Sequence, residues 1–312
     1  MQRAAAITID VDSLHHYLGI HGLAAPSPEH DPIYSHAMPR FFELLEDVGV
    51  PATLFLIGKD VAPHAKALAP LRKLSCEVAS HSFSHAYRLF QFSAADIDDE
   101  LEKAEAALLP LSNASAITGF RAPGYNTSPT LLTALVARGY RYDSSTLPAP
   151  SYWAARAAAI TRYRLAGRAS ASQVGRLRAF SGPLTPYRTT PEAYWRPKQY
   201  GSLVELPMAC VPGLRLPLIG TSWVLMPAAL RQRLLKLSLE RLGLFNFEMH
   251  AIDLLDGSDP GVPAALLDVQ PDLRVSVSDK MRAFRGLFRA LSEDRPVRTL
   301  HDIAGAFAGL KR

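Results

Sequence analysis

Short runs rich in β-branched residues alternate along this chain with segments in which apolar residues recur at helical spacing, and no other feature constrains the fold as strongly. The alternation opens with AAAITIDV, a helical pattern over about residues 37–48, and the run PATLFLIG. Further helices are predicted at residues 60–73, 94–109, 128–138, 228–242 and 279–291. Repeated β–α units predict an α/β fold in which parallel strands form a barrel, with the chemistry at their carboxyl ends.

One segment, residues 148–201, interrupts this alternation. Its periodicity is poor, Pro, Ser and Arg are frequent, and only residues 152–163 have a helical pattern. Between residues 156 and 198 it holds nine Arg or Lys side chains but a single acid, Glu192. Because 312 residues suit one barrel with an insertion, we predict a single domain over residues 1–312, with residues 148–201 as a basic insertion after the fifth strand region.

The composition excludes several protein classes. A hydrophobic fraction of 48% with 20% charged residues is that of a globular protein rather than a disordered or fibrous one. The first apolar run is broken by Asp10 and Asp12 and is not a secretory signal, and no stretch has the roughly 18 apolar residues of a membrane-spanning helix. Two cysteines, Cys76 and Cys210, are too few for a disulfide framework and fit a reducing compartment. We therefore expect a cytoplasmic protein.

Two acids and two histidines follow the ends of predicted strands. Asp10 and Asp12 close the run ITIDVD, and side chains two apart in an extended chain point to the same side. His81 and His85 follow CEVAS, and their spacing would bring both imidazoles to one face of a helical turn. Two His and one Asp can bind a divalent metal and leave positions open for water and substrate. An Asp-rich turn and satisfied surface histidines are the alternatives.

Three more polar residues stand at strand ends. Arg121, in GFRAPGYN, could pair with a carboxylate such as Asp10 and orient it, or it could be a surface residue before a turn. His250 ends the apolar run FNFEMH, so it is either a core histidine or a titrating group that faces a cavity. Asp143, in YRYDSS, could raise the pKa of His250 and keep it protonated as an acid.

These motifs together resemble the polysaccharide deacetylases, the NodB homology group of carbohydrate esterases. TIDVD resembles the first motif of that family, SHSFSH its metal-binding motif, FRAPGY its Arg-x-Pro motif, YDSS its fourth motif and FEMHAID its last. The five motifs occur in the order that the family has, and they cover most of the chain. The resemblance implies a distorted (β/α)7 barrel that forms one deacetylase-like catalytic domain.

The resemblance also implies roles for these residues. Asp10 would be the general base, Arg121 would orient Asp10, His250 would be the acid, and Asp143 would tune His250. The implied metal ligands are Asp12, His81 and His85. Zinc is the metal that such a set favours, and cobalt, nickel and iron also suit it.

Two departures from the family pattern are present. Val11 separates two acids that are adjacent in the commoner first motif, as in the branch that includes lipid-linked sugar deformylases and some intracellular deacetylases. This leaves open which of Asp10 and Asp12 is base and which is ligand. Asp253 stands three residues after His250 instead of directly after it, which suits a structural role.

The implied activity is hydrolysis of an N-acyl group, acetyl or formyl, from an amino sugar. A water activated by the metal would lose a proton to Asp10, a backbone amide near Tyr125 would help to stabilise the oxyanion, and His250 would protonate the leaving amine. One alternative is an allantoinase-like or cyclic-amide amidohydrolase on the same barrel. Another is a carbohydrate- or lipid-binding module whose metal is only structural.

Aromatic and histidine side chains suggest where a substrate would bind. Tyr125 and Trp223 could stack on a sugar ring, although ordinary packing explains them equally well. Five histidines follow the first strand, in what we predict to be a loop that is solvated or lines the substrate site, with a second metal site as the alternative. They are His15, His16, His21, His30 and His36.

The distribution of charged residues indicates the kind of partner that the protein binds. A net charge of +5 and the basic insertion suit a phosphate-bearing partner or an anionic membrane surface. We expect an N-acylated sugar carried on a lipid phosphate, with peripheral contact at the inner membrane face, and no nucleic acid. A basic solvated loop without a partner is the alternative.

Overall fold

The computed structural model describes residues 2–24, 31–175 and 180–309, and in these ranges eight strands form one sheet. They are β1 (Ala4–Val11), β2 (Ala52–Leu56), β3 (Cys76–Ser80), β4 (Gly119–Phe120), β5 (Tyr142–Asp143), β6 (Tyr187–Thr189), β7 (Leu203–Glu205) and β8 (Leu244–His250). Their order across the sheet is β6-β7-β5-β4-β3-β2-β1-β8. All neighbours run parallel except β6, which is antiparallel to β7.

The sheet closes into a barrel through irregular contacts between β8 and the segment after β7. The amide of Ala209 donates to the carbonyl of Asn246 (2.8 Å), and Nδ2 of Asn246 donates to the carbonyl of Leu206 (3.0 Å). The parallel strands β1–β5, β7 and β8 thus form the distorted seven-stranded barrel that was predicted. β6 lies outside this ring of parallel strands, within the segment predicted to be an insertion.

The helices follow most of the β–α alternation predicted from the sequence. They are α1 (Leu14–His21), α2 (Met38–Val48), α3 (Gly58–Val61), α4 (Ala65–Leu68), α5 (Ala94–Leu108), α6 (Pro129–Ala137), α7 (Pro150–Leu165), α8 (Gly220–Leu225), α9 (Ala228–Arg241), α10 (Ala264–Leu267), α11 (Val277–Asp294) and α12 (Leu300–Gly309). None of the described helices is both long and apolar enough to span a bilayer.

Two local predictions were wrong. Residues 60–73 do not form one helix, because Pro63 and Pro70 each lack an amide proton and crowd the preceding turn, which leaves α3, α4 and a short 3-10 turn. The segment directly after β1 is not a loop but α1, and the side chain of Asp31 caps its first amide, that of Leu14, at 2.8 Å.

Other helix ends lie where the sequence placed them. The hydroxyl of Ser93 accepts from the amide of Asp96, and that of Ser128 accepts from the amide of Leu131, each at 3.2 Å, which satisfies one free amide in the first turn of α5 and of α6. Gly139 follows α6 with a φ of +82°, a conformation that favours glycine and ends the helix.

The pleat of β1 decides which of its side chains reach the barrel interior. Ile7 and Ile9 belong to the main core between sheet and helices, whereas Ala4 and Ala6 belong to a second cluster with Phe55 and other strand residues inside the barrel. Side chains of a strand alternate between its two faces, so Asp10 falls on the interior side. β1 therefore places the side chain of Asp10 inside the barrel, at the end where the parallel strands terminate.

The predicted insertion, residues 148–201, contains α7 and β6, and its residues 176–179 lie outside the described residues. After α7 the chain crosses α1. There the amide of Ala171 donates to the carbonyl of Gly19 (3.1 Å), and the hydroxyl of Ser170 donates to the carbonyl of Ile20 (2.6 Å). These bonds hold the segment that follows α7 against α1, the helix that comes directly after Asp10 and Asp12.

Candidate metal and catalytic site

The polar residues predicted from the sequence meet at the carboxyl end of the barrel. Parallel strands bring all their carboxyl ends to one edge, so residues distant in sequence become neighbours. These residues are Asp10 and Asp12 near the end of β1, His81 and His85 after β3, Arg121 after β4, Asp143 on β5 and His250 on β8.

Asp12, His81 and His85 converge on one point. Oδ1 of Asp12 lies 3.4 Å from Nε2 of His81 and 3.3 Å from Nε2 of His85, and all three side chains are buried. Nδ1 of His81 donates to the carbonyl of Arg121 (2.7 Å), which leaves Nε2 free to bind a metal. The ring nitrogens and the carboxylate thus present three ligand atoms to one position.

The spacing of these atoms fits a tetrahedral metal site. With bonds of about 2.0–2.1 Å to zinc, neighbouring ligand atoms of a tetrahedral site are about 3.3–3.4 Å apart. Oδ1 of Asp12 and both ring nitrogens of His85 are buried and have no hydrogen-bond partner among the described residues. Because unpartnered buried polar atoms are costly, a bound cation is the simplest partner for Oδ1 and Nε2.

The protonation states also suit a metal. Burial alone would raise the pKa of Asp12, but the neighbouring His85 and His81 outweigh burial and hold this pKa well below its usual range. Burial lowers the pKa of His81. The carboxylate is therefore ionised and the His81 imidazole neutral, which are the forms that bind a metal.

The two histidines do not lie on a helical turn, as their spacing predicted. Ser82 and His85 have φ values of 65° and 56°, and the loop between them is irregular. The hydroxyl of Ser82 accepts from the amide of His85 (3.0 Å), while the side chain of Glu100 accepts from the amides of Phe83 and Ser84. These hydrogen bonds stabilise the irregular loop, in which Ser82 and His85 are left-handed. The loop, rather than a helical turn, brings the imidazole rings of His81 and His85 together.

Asp10 forms a buried ion pair with Arg121. Nη1 of Arg121 donates to Oδ1 of Asp10 (2.6 Å), and neither side chain is accessible to solvent. The other nitrogens of Arg121 donate to Ser144 and to the hydroxyl of Thr8. Oδ2 of Asp10 has no partner among the described residues and lies 3.9 Å from Nε2 of His81. Arg121 therefore fixes one oxygen of Asp10 and leaves the other free beside the metal ligands.

Replacement of Arg121 by Met is expected to lower the free energy of unfolding by about 3–5 kcal/mol, because it leaves Asp10 buried without its counter-ion. Denaturant unfolding of the variant and the native chain measures the difference. Arg282→Met is the matched control, because Arg282 pairs with Asp279 on the exposed surface of α11 and its loss should change little. A loss for Arg121→Met of no more than about 1 kcal/mol, the range of exposed pairs, would contradict this account of the pair.

His250 pairs with Glu248, and this corrects the predicted role of Asp143. Nδ1 of His250 lies 2.9 Å from Oε1 of Glu248, two residues earlier on the same face of β8. Burial alone would lower the pKa of His250, but the charge and hydrogen bond of Glu248 raise it well above its usual value. Asp143 instead accepts from the hydroxyl of Ser145 (2.5 Å), and burial raises the pKa of Asp143 to about 6.

Asp10, Glu248 and His250 form a second group whose ligand atoms lie close together. Its charges are already balanced, because Arg121 holds Asp10 and protonated His250 faces Glu248. A dication at this place would be repelled by the Arg121 guanidinium. The group of Asp12 and the two histidines is therefore the better metal site, and the second group suits proton transfer.

A cavity of about 260 Å³ opens onto these groups. Asp12, His250 and Tyr125 line it, and the hydroxyl of Tyr125 lies 3.4 Å from Nε2 of His250. A backbone amide near Tyr125 was predicted to help stabilise the oxyanion, and the amide of Tyr125 itself donates to the carbonyl of Ala122 (2.8 Å).

Trp223 does not line this cavity, so the prediction that it stacks on a substrate was wrong. It lies on α8, where its ring packs edge-on against Phe247 and its nitrogen donates to the carbonyl of Ala283 (3.3 Å). Ordinary core packing explains it.

The histidines after β1 are divided between several environments. His16 is buried and its ring centre lies 4.2 Å from that of His85, whereas His21 contacts the hydroxyl of Tyr163 (2.7 Å). His30 lies outside the described residues. Among the histidines of this region that the structure does describe, none belongs to a group of three metal-ligand side chains.

Two side chains at the site were not identified from the sequence. Glu248 could have been found, because an acid two residues before a histidine on a strand shares its face. Tyr17, which lines the cavity from α1, gave no signal, because its segment was interpreted as a loop.

A family model matches part of the chain. Residues 29–142, a little over a third of the chain, match the family model described as Polysaccharide deacetylase. This segment contains His81, His85 and Arg121, while Asp10, Asp12 and the later motifs lie outside it. No curated protein matches the chain.

A solved structure shares the fold of this chain. A structure from Mycobacterium smegmatis that is assigned to the polysaccharide deacetylases is 17% identical, with 98% of this chain and 91% of that chain covered and a TM-score of 0.59. A CE4 family pseudoenzyme from Bacillus anthracis is 13% identical over 97% and 66% of the two chains (TM-score 0.48). A family 4 carbohydrate esterase from Streptomyces lividans is 14% identical over 92% and 90% (TM-score 0.42). At these identities the likeness concerns the fold alone.

Proposed function

We propose that this chain, whose residues 29–142 match the family model described as Polysaccharide deacetylase, is a metal-dependent hydrolase that removes an N-acyl group, acetyl or formyl, from an amino sugar. One observation carries the proposal. The group of Asp12 and two histidines, the Asp10–Arg121 pair and the Glu248–His250 pair lie together at one end of the barrel. The chain thus holds ligands, a base and an acid around one site, as hydrolysis of an amide requires.

Asp12, His81 and His85 would hold the metal, with zinc favoured and cobalt, nickel or iron as alternatives. When bound, a divalent cation lowers the pKa of water and polarises a carbonyl group. Oδ2 of Asp10 is the free carboxylate oxygen beside this set and accepts the proton of the attacking water. Arg121 orients Asp10 for that task through a hydrogen bond to Oδ1.

His250 supplies the proton that the leaving amine needs. Its Nδ1 faces Glu248, so Nε2 is the nitrogen turned to the cavity, and 23% of the side chain is exposed there. Because Glu248 raises the pKa of His250, the imidazole is protonated at neutral pH and can act as a general acid.

A binding module with a structural metal would need neither a base nor an acid, and a cyclic-amide hydrolase would use the same groups on another substrate.

To test the proposed function against these alternatives, the protein is stripped of metal with a chelator and reloaded with Zn²⁺, Co²⁺, Ni²⁺ or Fe²⁺. Acetate and formate release from N-acetyl and N-formyl glucosaminides is then measured beside hydrolysis of allantoin.

We expect release from the amino sugars that stops with the chelator and returns with the metal. Acetate or formate release that continues in the presence of the chelator would refute metal dependence. Hydrolysis of allantoin alone would favour the cyclic-amide enzyme, and metal binding without any hydrolysis would favour the binding module.

We further propose that the sugar is carried on a lipid phosphate at the cytoplasmic face of a membrane. Arg156 and Arg162 on α7 line the cavity, and Arg156 donates to the hydroxyl of Ser172 (2.9 Å) and the carbonyl of Gly124 (3.1 Å). Among the described residues Arg156 forms no ion pair, so its charge is available to an anionic group of a substrate. Leu165, at the end of the same helix, is 85% exposed, which suits contact with a bilayer surface.

Sedimentation with anionic and neutral vesicles at low and high salt tests this finer proposal. Arg162→Gln/Arg164→Gln should weaken binding to anionic vesicles, whereas the control Arg282→Gln/Arg289→Gln on α11 removes equal charge and should not. The membrane proposal fails if the protein ignores anionic vesicles and deacylates soluble chito-oligosaccharides as readily as a lipid-linked sugar.

A further inference from the structure

Tyr17 lines the cavity of the site and has no role in the mechanism proposed above. α1 begins two residues after Asp12, so its side chains return toward the carboxyl end of β1. The Tyr17 side chain lines the same cavity as Asp12, His250 and Tyr125, and the residue is only 5% exposed. Its ring meets that of His250 edge-on, with ring centres 6.1 Å apart.

The hydroxyl of Tyr17 is buried and has no hydrogen-bond partner among the described residues. An unpaired buried hydroxyl is unfavourable, so a fold that keeps one beside a reactive group suggests a partner that arrives with a ligand. Two other tyrosine hydroxyls of the cavity wall are engaged: that of Tyr163 contacts His21 (2.7 Å), and that of Tyr125 lies near Nε2 of His250 (3.4 Å).

An amide hydrolase needs a donor for the carbonyl oxygen, because this oxygen gains negative charge when water attacks. The amide of Tyr125 does not fill this need, since it already donates to the carbonyl of Ala122. A phenol, with an ordinary pKa of about 10, remains a donor at neutral pH. The hydroxyl of Tyr17 can supply such a donor in addition to the proposed metal.

We propose that the hydroxyl of Tyr17 donates a hydrogen bond to the acyl oxygen of the substrate as that oxygen becomes negatively charged, which makes Tyr17 a further catalytic residue. This inference rests on the proposed function. No bond is made or broken at Tyr17, and the proton stays on the phenol.

Tyr17→Phe is the test, because it removes the hydroxyl and keeps the ring that packs against His250. For an oxyanion donor we expect kcat to fall by about 10²–10³-fold, with KM, metal content and thermal midpoint nearly unchanged. Tyr140→Phe is the matched control. Tyr140 is buried at 3% exposure and does not line the cavity, so its substitution should leave kcat unchanged.

An unchanged kcat, a rise in KM alone or a loss of metal would overturn the proposal, since these results indicate no role, binding only, or a structural role. A second measurement does not depend on turnover. Acetohydroxamate binding to the zinc-loaded protein, followed by calorimetry, should be about tenfold weaker in Tyr17→Phe, as expected for one lost hydrogen bond to an anionic oxygen. Equal affinity would overturn the proposal. If the native chain hydrolyses no amino-sugar amide, the proposed function fails, and calorimetry still decides on Tyr17.

Discussion

Replacement of Asp10 by Asn is expected to lower kcat by about 10²–10⁴-fold and to leave the metal content nearly intact. The amide keeps the shape of the side chain and one oxygen for Arg121, which approaches Oδ1 at 2.6 Å. It cannot accept a proton at neutral pH, so the attacking water loses its base. Acyl release and metal content of the same preparation measure both effects.

Asp12→Asn is the matched partner of this experiment, because it makes the same chemical change two residues away. Oδ1 of Asp12 lies 3.3 Å and 3.4 Å from the ligand nitrogens of His85 and His81. Its neutral amide should bind the metal much more weakly, so activity and metal are lost together. If Asp10→Asn loses as much metal as Asp12→Asn, the roles of base and ligand have been divided wrongly.

Replacement of His250 by Ala is expected to retain the metal and to lower kcat by about 10²–10⁴-fold, because the leaving amine then has no general acid. His250 lies with Glu248 and not with the three proposed ligands. Metal analysis and turnover of the variant decide the point, and loss of metal would mean that His250 is a ligand.

The Glu248→Gln variant tests the role of His250 through the pH dependence of kcat. Catalysis needs protonated His250, so activity persists until the pH rises through the pKa of His250, which Glu248 raises well above its usual value. Without that charge the pKa falls, and the decline of kcat at high pH should begin at a lower pH. A decline at the same pH in both proteins would show that another group causes it.

The convergence of the acids and histidines proposed for the site could be predicted, because strand geometry brings them together. Asp10 and Asp12 share one side of β1 through the pleat of the strand, and the strand ends of a parallel barrel meet at one edge. The helical turn proposed for His81 and His85 was wrong, because hydrogen bonds to Ser82 and Glu100 fold that loop differently. The spacing of His81 and His85 predicted that their side chains lie together, but it did not predict the backbone conformation between them.

The partner of His250 could not be chosen from motif order alone. Asp143 lies on β5, where it stands opposite Glu205 of β7, whereas β8 neighbours β1. Glu248 is nearer in both sequence and space, on the same face of β8 as His250. The prediction paired two strand-end residues and did not use the two-residue period of the strand, which places Glu248 beside His250.

The aromatic residues depend on how helices pack, which a single sequence does not specify. Trp223 and Tyr17 both lie on short helices, but α8 turns Trp223 into the core beside Phe247, and α1 turns Tyr17 toward the cavity. The two proline residues within residues 60–73 could have predicted the break in this helix, because proline lacks an amide proton and crowds the preceding turn.

The metal content of His81→Ala, measured beside the native chain after reloading with Zn²⁺, tests the central claim most directly. Nε2 of His81 is one of three atoms that converge on the proposed site, so its loss should leave the variant with little or no metal, while the native chain and the His250→Ala control bind one ion each. A His81→Ala protein that still holds one zinc ion per chain would contradict the proposed metal site and the mechanism that depends on it.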